Sequence, residues 1–470
     1  MRLSKSLKLT ALLLFLAAGF TGCPENGTDN NSDQLIKPWS ENPSYWQYEG
    51  EPVLLLGGTN TDNLFQKDYL ETHLDSLQAI GGNYIRNTMS DRDSGDHRAF
   101  ARNRDGKYDL DQWNDEYWNR FENMLRLANE RKIIVQIEVW DRFDHSRDNW
   151  LSDPYNPGNN INYTYAGSML DSLYPEHPGQ NLQPFFFTVP ELDNNEVLLN
   201  YQNAFVKKLL SISLNYNNVL YCIDNETSGA EEWAIYWEKF IRENSGGKEI
   251  YITQMWDSWD LRSDEHKQTF DYPERYQYID ISQNSHVTGR TNWDNAQYVF
   301  GYIEDNPRPV NSTKIYGSDN FERWLHRGIT TDHAIQTFFR NILGGFASSR
   351  FHRPPAGLGL NQLAINSIRT IRKIEENVKM WDVEPRINLL RGAEGNTAYL
   401  AAREGEDYVI YFPKNGVVEL DLTGHAYEFT LQWINTEDGR WGNSHEIEGG
   451  SYTELRAVNE NGSIAVLTRK

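Results

Sequence analysis

The chain has 470 residues and carries 45 Lys and Arg against 67 Asp and Glu, a formal net charge of −22. That balance argues against nucleic acid as a partner, because phosphate binding needs a basic face. Hydrophobic residues make up 39% and mean hydropathy is −0.70, so the chain reads as soluble, with room for one large and one small domain.

Aromatic residues reach 13%, with 15 Trp and 26 Tyr. Apolar ring faces suit stacking on the C–H surfaces of pyranose sugars, and they equally suit an aromatic-rich core. The two cysteines, Cys23 and Cys222, can build neither a disulfide framework nor a thiolate metal site. Asp91, Asp93 and Asp96 lack the closing acidic residue of a Ca²⁺-binding EF-hand loop, so neither a metal nor another cofactor is expected.

Residues 1–22 carry Arg2, Lys5 and Lys8 and then an apolar run over 11–20. This reads as a signal peptide too short in its apolar core to span a membrane. Thr21-Gly22-Cys23 resembles a bacterial lipobox, which implies cleavage before Cys23, its lipidation, and attachment to the outer membrane through that anchor alone. Ordinary signal cleavage nearby is the alternative. Residues 23–36 are mostly polar and read as a tether.

From residue 37 to 383, short apolar runs alternate with helix-like segments, the pattern of a parallel sheet. Residues 45–52 look like a hairpin below the first strand. Strands are predicted at 53–57, 83–87, 133–139, 219–223, 249–255, 278–282, 309–316 and 344–350, and helices include 68–79, 116–131, 197–214, 231–242 and 332–343. Eight such units make a (β/α)8 TIM barrel. The aromatic and Pro-containing segment 143–192 is too long for an ordinary connection and is assigned to one wall of a substrate cleft. After residue 384 the runs at 398–402, 408–412, 417–422, 429–434 and 463–468 are short and separated by turn residues, the signature of a small C-terminal β-sandwich over 384–470.

Chemistry in such a barrel sits where strands end. The run Val219 to Ile223 stops at Asp224-Asn225-Glu226, and Glu226 is the candidate acid/base, Asn225 its polar neighbour. A buried structural acid paired with Arg86 is the other reading of Glu226. Other predicted strand ends supply Arg86, Glu138, Trp140, Asp141, Trp256, Asp257, His286, Lys314, Tyr316, Asp319 and His352. Of these, Lys314, His286, Asp319 and Glu138 are the further catalytic candidates. Arg86, Asn225, Asp141, Trp140, Trp256, Asp257, Tyr316 and His352 are candidate substrate contacts. Each also has a structural reading, as an ion-pair partner, a hydrogen-bonded histidine or a core aromatic.

Asn225-Glu226 at the fourth strand, Arg86 at the second and the long third loop resemble the barrels of clan A glycoside hydrolases, in which that Glu is the general acid/base. The segments 50–57, Phe339-Arg340-Asn341, Gly344-Gly345 and 350–355 resemble the apiosidase-like branch, which often ends in a collagen-binding-type β-sandwich. The resemblance runs from about residue 38 onward and implies an enzyme acting on a poly- or oligosaccharide. One departure stands out. The clan's retaining mechanism uses a second carboxylate at the end of strand seven, yet residues 308–316 contain no acid, and Lys314 occupies that register. The partner of Glu226 must then come from Asp319, Glu138, Asp141 or Asp257. Three functions stay open: glycosidic hydrolysis with Glu226 as acid/base, elimination by a lyase or dehydratase on uronic-acid-containing oligosaccharides, and glycan binding without turnover.

Overall fold

The structure is a computed structural model and describes residues 34–470. The signal segment, the Cys23 lipidation site and most of the tether lie outside the described residues. The eight barrel strands are β1 Leu55–Gly58, β2 Tyr84–Thr88, β3 Ile134–Asp141, β4 Val219–Asn225, β5 Ile252–Thr253, β6 Ile279–Asp280, β7 Val310–Asn311 and β8 Ser348–Phe351. The helices that follow them are α1 Leu70–Ala79, α2 Asp115–Glu130, α3 Glu196–Ser213, α4 Glu231–Glu243, α5 Asp264–Phe270, α6 Gly289–Tyr302, α7 Thr331–Leu343 and α8 Gln362–Glu375.

A parallel ladder runs in the order β5-β4-β3-β2-β1-β8, and β6 pairs with β7. The segment at β7 closes on β8 through Ala347 N to Val310 O at 2.9 Å and Arg350 N to Ser312 O at 3.0 Å. Between β5 and β6 a side chain makes the join, Gln277 Oε1 accepting from Ile252 N at 3.2 Å. The result is the (β/α)8 barrel. Its strands are buried on both faces, which is why they read as continuous apolar runs instead of alternating ones.

Local sequence explains where the helices begin. Asn114 caps α2 by accepting from Glu116 N, and Asp115 and Glu116 fill the first turn, where carboxylates complement the helix dipole. Asn361 does the same for α8, accepting from Leu363 N and Ala364 N. The buried stripe of α2, Tyr117, Phe121, Met124, Leu125 and Ala128, recurs at the three- and four-residue spacing of a one-faced helix.

The hairpin expected at 45–52 is part of a three-stranded antiparallel sheet of Lys37–Pro38, Trp46–Tyr48 and Glu51–Val53. It plugs the N-terminal end of the barrel. Trp46 is fully buried, packs edge-on to Tyr278 at 5.2 Å, and donates from Nε1 to Asn311 Oδ1 at 3.0 Å.

The long segment after β3 folds into short helices, including Arg147–Ser152 and Tyr165–Ser168. Trp150, Tyr155, Phe185 and Phe186 are buried in it. Most of its aromatic residues therefore build a core of their own; Phe143 and His177 are the rings it contributes to the open cleft.

Residues after 384 form a six-stranded and a three-stranded antiparallel sheet. Leu400, Tyr408, Ile410 and Leu467 of the larger sheet meet Val418, Leu420 and Leu455 of the smaller in one apolar layer. The strands Trp441–Glu448 and Tyr452–Ala457 were not expected. The first carries Asn443, Ser444, His445 and Glu446, exposed at a sheet edge, and lacks the apolar alternation that marks a strand. The opposite face of the large sheet packs on the barrel, with Tyr411 5.0 Å from Phe339 and Tyr399 5.1 Å from Trp293 between ring centroids.

Candidate functional site

β4 ends at Asn225, and the next residue, Glu226, has a left-handed backbone with φ of 45°. A side chain in that region costs about 1–2 kcal/mol, so it persists only where neighbours hold it. Here Thr227 N donates to Met255 O at 2.8 Å and Asp257 N donates to Thr227 O at 2.9 Å. The chain thus turns at Glu226 and stays tied to the end of β5. This aims the carboxyl group into a cleft of about 480 Å³ on the C-terminal face of the barrel, lined by Asp257, Trp259, His286, Tyr316, Trp324 and His352 among others.

Lys314 stands beneath it. Its side chain is 1% exposed and its ammonium lies 2.8 Å from Glu226 Oε1; it also donates to Asn225 Oδ1. Lys314 is fixed from below: Ser282 Oγ accepts from Thr313 N at 2.8 Å and from Lys314 N at 3.1 Å. Tyr316 Oη donates to the same Glu226 oxygen. Burial alone would raise the Glu226 pKa. The Lys314 charge, with the hydrogen bonds from Lys314 and Tyr316, outweighs it and holds the carboxyl well below the ordinary carboxylate range. Glu226 is therefore ionised at neutral pH.

Asp257, just past the end of β5 and tied to the turn after Glu226, behaves oppositely. Burial, then the negative charge of Glu226, push it up to about 7. Two carboxyl groups whose environments separate their pKa values are the usual basis of an acid and a base in one site.

The His286 ring lies between two aromatic faces, 4.5 Å from Trp259 and 4.6 Å from Tyr316 between centroids, with interplanar angles of 24° and 21°. Burial lowers its pKa to about 4, so it is neutral. His352 is likewise pushed down by burial and packs 4.6 Å from Tyr316.

Deeper in the barrel a second network replaces the single pair. Arg86 donates from Nε to Glu138 Oε1 at 2.6 Å and pairs with Asp62, which also takes Arg353. Arg86 and Glu138 are fully buried. Asp141 accepts from Asn225 Nδ2 at 2.9 Å and pairs with Arg92 at 2.9 Å.

Glu226, Asp257, His286, Tyr316 and His352 thus line the cleft. Lys314, Asn225, Asp141, Arg86 and Glu138 lie in the layer that supports it. Trp140 is a core residue, 2% exposed and packed 5.1 Å from Trp237 and 5.6 Å from Phe185. Trp256 is 1% exposed. Neither presents a face to the cleft. Asp319 is exposed, accepts from Thr331 N at 3.2 Å, and stands outside the cleft lining. The pairing of Glu226 with Arg86 is not found; Arg86 holds Glu138 and Asp62 instead. Sequence reasoning missed Trp259 on a loop and Arg323 and Trp324 on the short helix Glu322–Leu325, none with a strand-end signal; Phe143 and His177 fall in the segment assigned to the cleft wall but were not singled out.

No family model matches the chain, and no curated protein matches it in sequence. Solved structures do match in fold. A glycoside hydrolase family 5 protein from Bacteroides vulgatus superposes with a TM-score of 0.63 at 14% identity, covering 93% of each chain. A second glycoside hydrolase from the same organism gives 0.62 at 12%, covering 94% of this chain and 83% of the other. An α-amylase from Geobacillus thermoleovorans gives 0.53 at 12%, covering 93% and 97%. The chain has a glycoside hydrolase-like TIM-barrel fold, and its likeness to these proteins is one of fold.

Proposed function

We propose that the protein is a carbohydrate-active enzyme that cleaves a glycosidic bond of a poly- or oligosaccharide in this cleft. The observation that carries the proposal is the pair Glu226 and Asp257, facing one cavity with one group ionised and the other protonated up to about pH 7. Glycosidic hydrolysis asks for that division: an acid to protonate the departing oxygen, and a carboxylate to activate water or support the positive charge developing on the sugar. Asp257 is the proton donor in this scheme. Glu226 acts from the ionised end of its acid/base role, kept charged by Lys314 and oriented by Tyr316. Trp259, 39% exposed, and Phe143 bring apolar ring surface to the same cleft, as a sugar ring needs.

The fold of the family 5 neighbour and the placement of Glu226 after β4 favour the same reading. So does the motif resemblance to the apiosidase-like branch, which we retain as part of the proposal. The division into a catalytic barrel over 37–383 and a β-sandwich over 384–470 belongs to it too, as does a lipid anchor at Cys23 holding the protein at the bacterial outer membrane. Metabolic labelling with a fatty acid, lost in Cys23→Ala, tests the anchor.

The activity is tested by incubating the protein with acidic and neutral polysaccharides. New reducing ends without new ultraviolet absorbance support hydrolysis, and Glu226→Gln and Asp257→Asn should each lower the rate by about 100-fold or more. An unsaturated product would transfer the assignment to elimination. Binding with no turnover, unchanged in Glu226→Gln, would make the protein a glycan-binding one and sink the proposal.

A further inference from the structure

The chain as a whole is strongly acidic, yet its cleft is not. Glu226 is matched by Lys314, the Asp62 and Glu138 charges by Arg86 and Arg353, and Asp257 stays protonated up to about pH 7. Three guanidinium groups are left over around the mouth. Arg323 lines the cleft. Arg327 lies over Trp259 at 4.5 Å, and Arg147 lies over Phe143 at 5.8 Å. Among the described residues none of the three has a carboxylate within ion-pair distance, whereas Arg120, Arg126, Arg131 and Arg290 on the outer helices and their ends each do. Their charges reach the cleft groups: Arg147 and Arg323 both act on His177, and Arg323 and Arg327 both act on His286. An unpaired guanidinium placed over an aromatic ring has N–H groups free for a planar oxyanion. Three of them around one cavity in a chain of opposite overall sign concentrate that potential where a ligand enters.

We infer that the cleft selects an anionic oligosaccharide, one bearing carboxylate or sulfate groups, with Arg323, Arg327 and Arg147 as its specificity-determining contacts. This rests on the assignment of the cleft as the sugar site and names the class of sugar it takes. A neutral glycan leaves three cations unanswered at the mouth. An anionic one supplies their partners while its apolar surface meets the aromatic lining of the cleft.

Equilibrium binding to the full chain separates this inference from the catalytic one, because it needs no turnover. The probes are a polyuronate oligosaccharide, its carboxyl-reduced counterpart, a sulfated oligosaccharide and its desulfated counterpart, all of equal length. At least one anionic probe should bind about tenfold more tightly than its neutral counterpart, and the advantage should shrink as salt rises from low to physiological. Whichever pair shows the difference identifies carboxylate or sulfate. Arg323→Ala and Arg327→Ala, both at exposed positions, should each reduce the advantage several-fold, and Arg323→Lys should restore part of it. Neutral and anionic probes bound equally, or arginine variants that leave the preference intact, overturn the inference even if a neutral glycan is cleaved. Anionic binding without cleavage leaves it standing and counts against the enzyme.

Discussion

The two halves of the barrel are built differently. From β8 through β1 to β4 the strands are four to eight residues long and their main chains pair in a continuous ladder. From β5 to β7 each strand is two residues, and much of the cohesion passes to side chains: Gln277 joins β5 to β6, while Asp280, Ser282 and Thr313 tie the ends of β6 and β7 together. The regular half contributes a buried, fully matched charge network at Arg86. The irregular half contributes Asp257, His286 and Tyr316 to the cleft and Lys314 beneath it. Regular ladders fix position but leave no room to re-aim a side chain; short strands with side-chain stitching trade ladder bonds for that freedom.

Removing charges from each half should show the contrast most strongly. Lys314→Met leaves Glu226 without its counter-charge. We expect activity to fall by about 100-fold or more while stability, read by urea unfolding, falls by about 3 kcal/mol. Arg86→Met, in the ladder half, strands Glu138, leaves Asp62 to Arg353 alone, and should cost about 3–5 kcal/mol of stability. A loss below about 1 kcal/mol would mean that the ladder alone carries that half.

The pH dependence sharpens the comparison. Glu226 has its folded pKa lowered, so the stability it contributes is complete above its ordinary value of 4.5 and is lost as pH falls below that. Lys314→Met should flatten this acid loss. Asp257 has its folded pKa raised to about 7. Its protonated form is the active one, so kcat/KM should decline as pH rises through about 7, and Asp257→Asn should remove that limb. A limb that survives the substitution assigns the titration to another group.

Smaller effects lie at the seams. Gln277→Ala removes the acceptor for Ile252 N and should cost about 1–2 kcal/mol. Asp319→Asn touches an exposed loop contact and should change stability by about 0.5 kcal/mol or less, with activity unaltered.

The same contrast governs how much could be read from the residues in order. The long strands announce themselves as apolar runs, and β2, β3 and β4 fall within two residues of their predicted ends. Lys314 was legible as a departure because an acid is missing from 308–316. Its partner was not, since the register along β7 does not say which side chains on the neighbouring strands come close in space. Trp140 and Asp257 occupy equivalent strand-end positions in the sequence. Only packing separates them: helix α4 brings Trp237 against the first, and the second keeps a face to the cleft. Trp259 sits on a loop and Arg323 and Trp324 on the single-turn helix Glu322–Leu325, whose positions depend on tertiary contacts, and a one-dimensional pattern carries no trace of that.

The large sheet of the C-terminal region is apolar on both faces, one turned to its own partner sheet and the other to α6 and α7. It therefore serves as cladding that the barrel cannot shed. A polypeptide ending near residue 383 would present Phe339 and Trp293 to water together, a greasy window beside the returning helices. Such a fragment should clump where the whole chain stays dispersed, whatever becomes of its sugar chemistry.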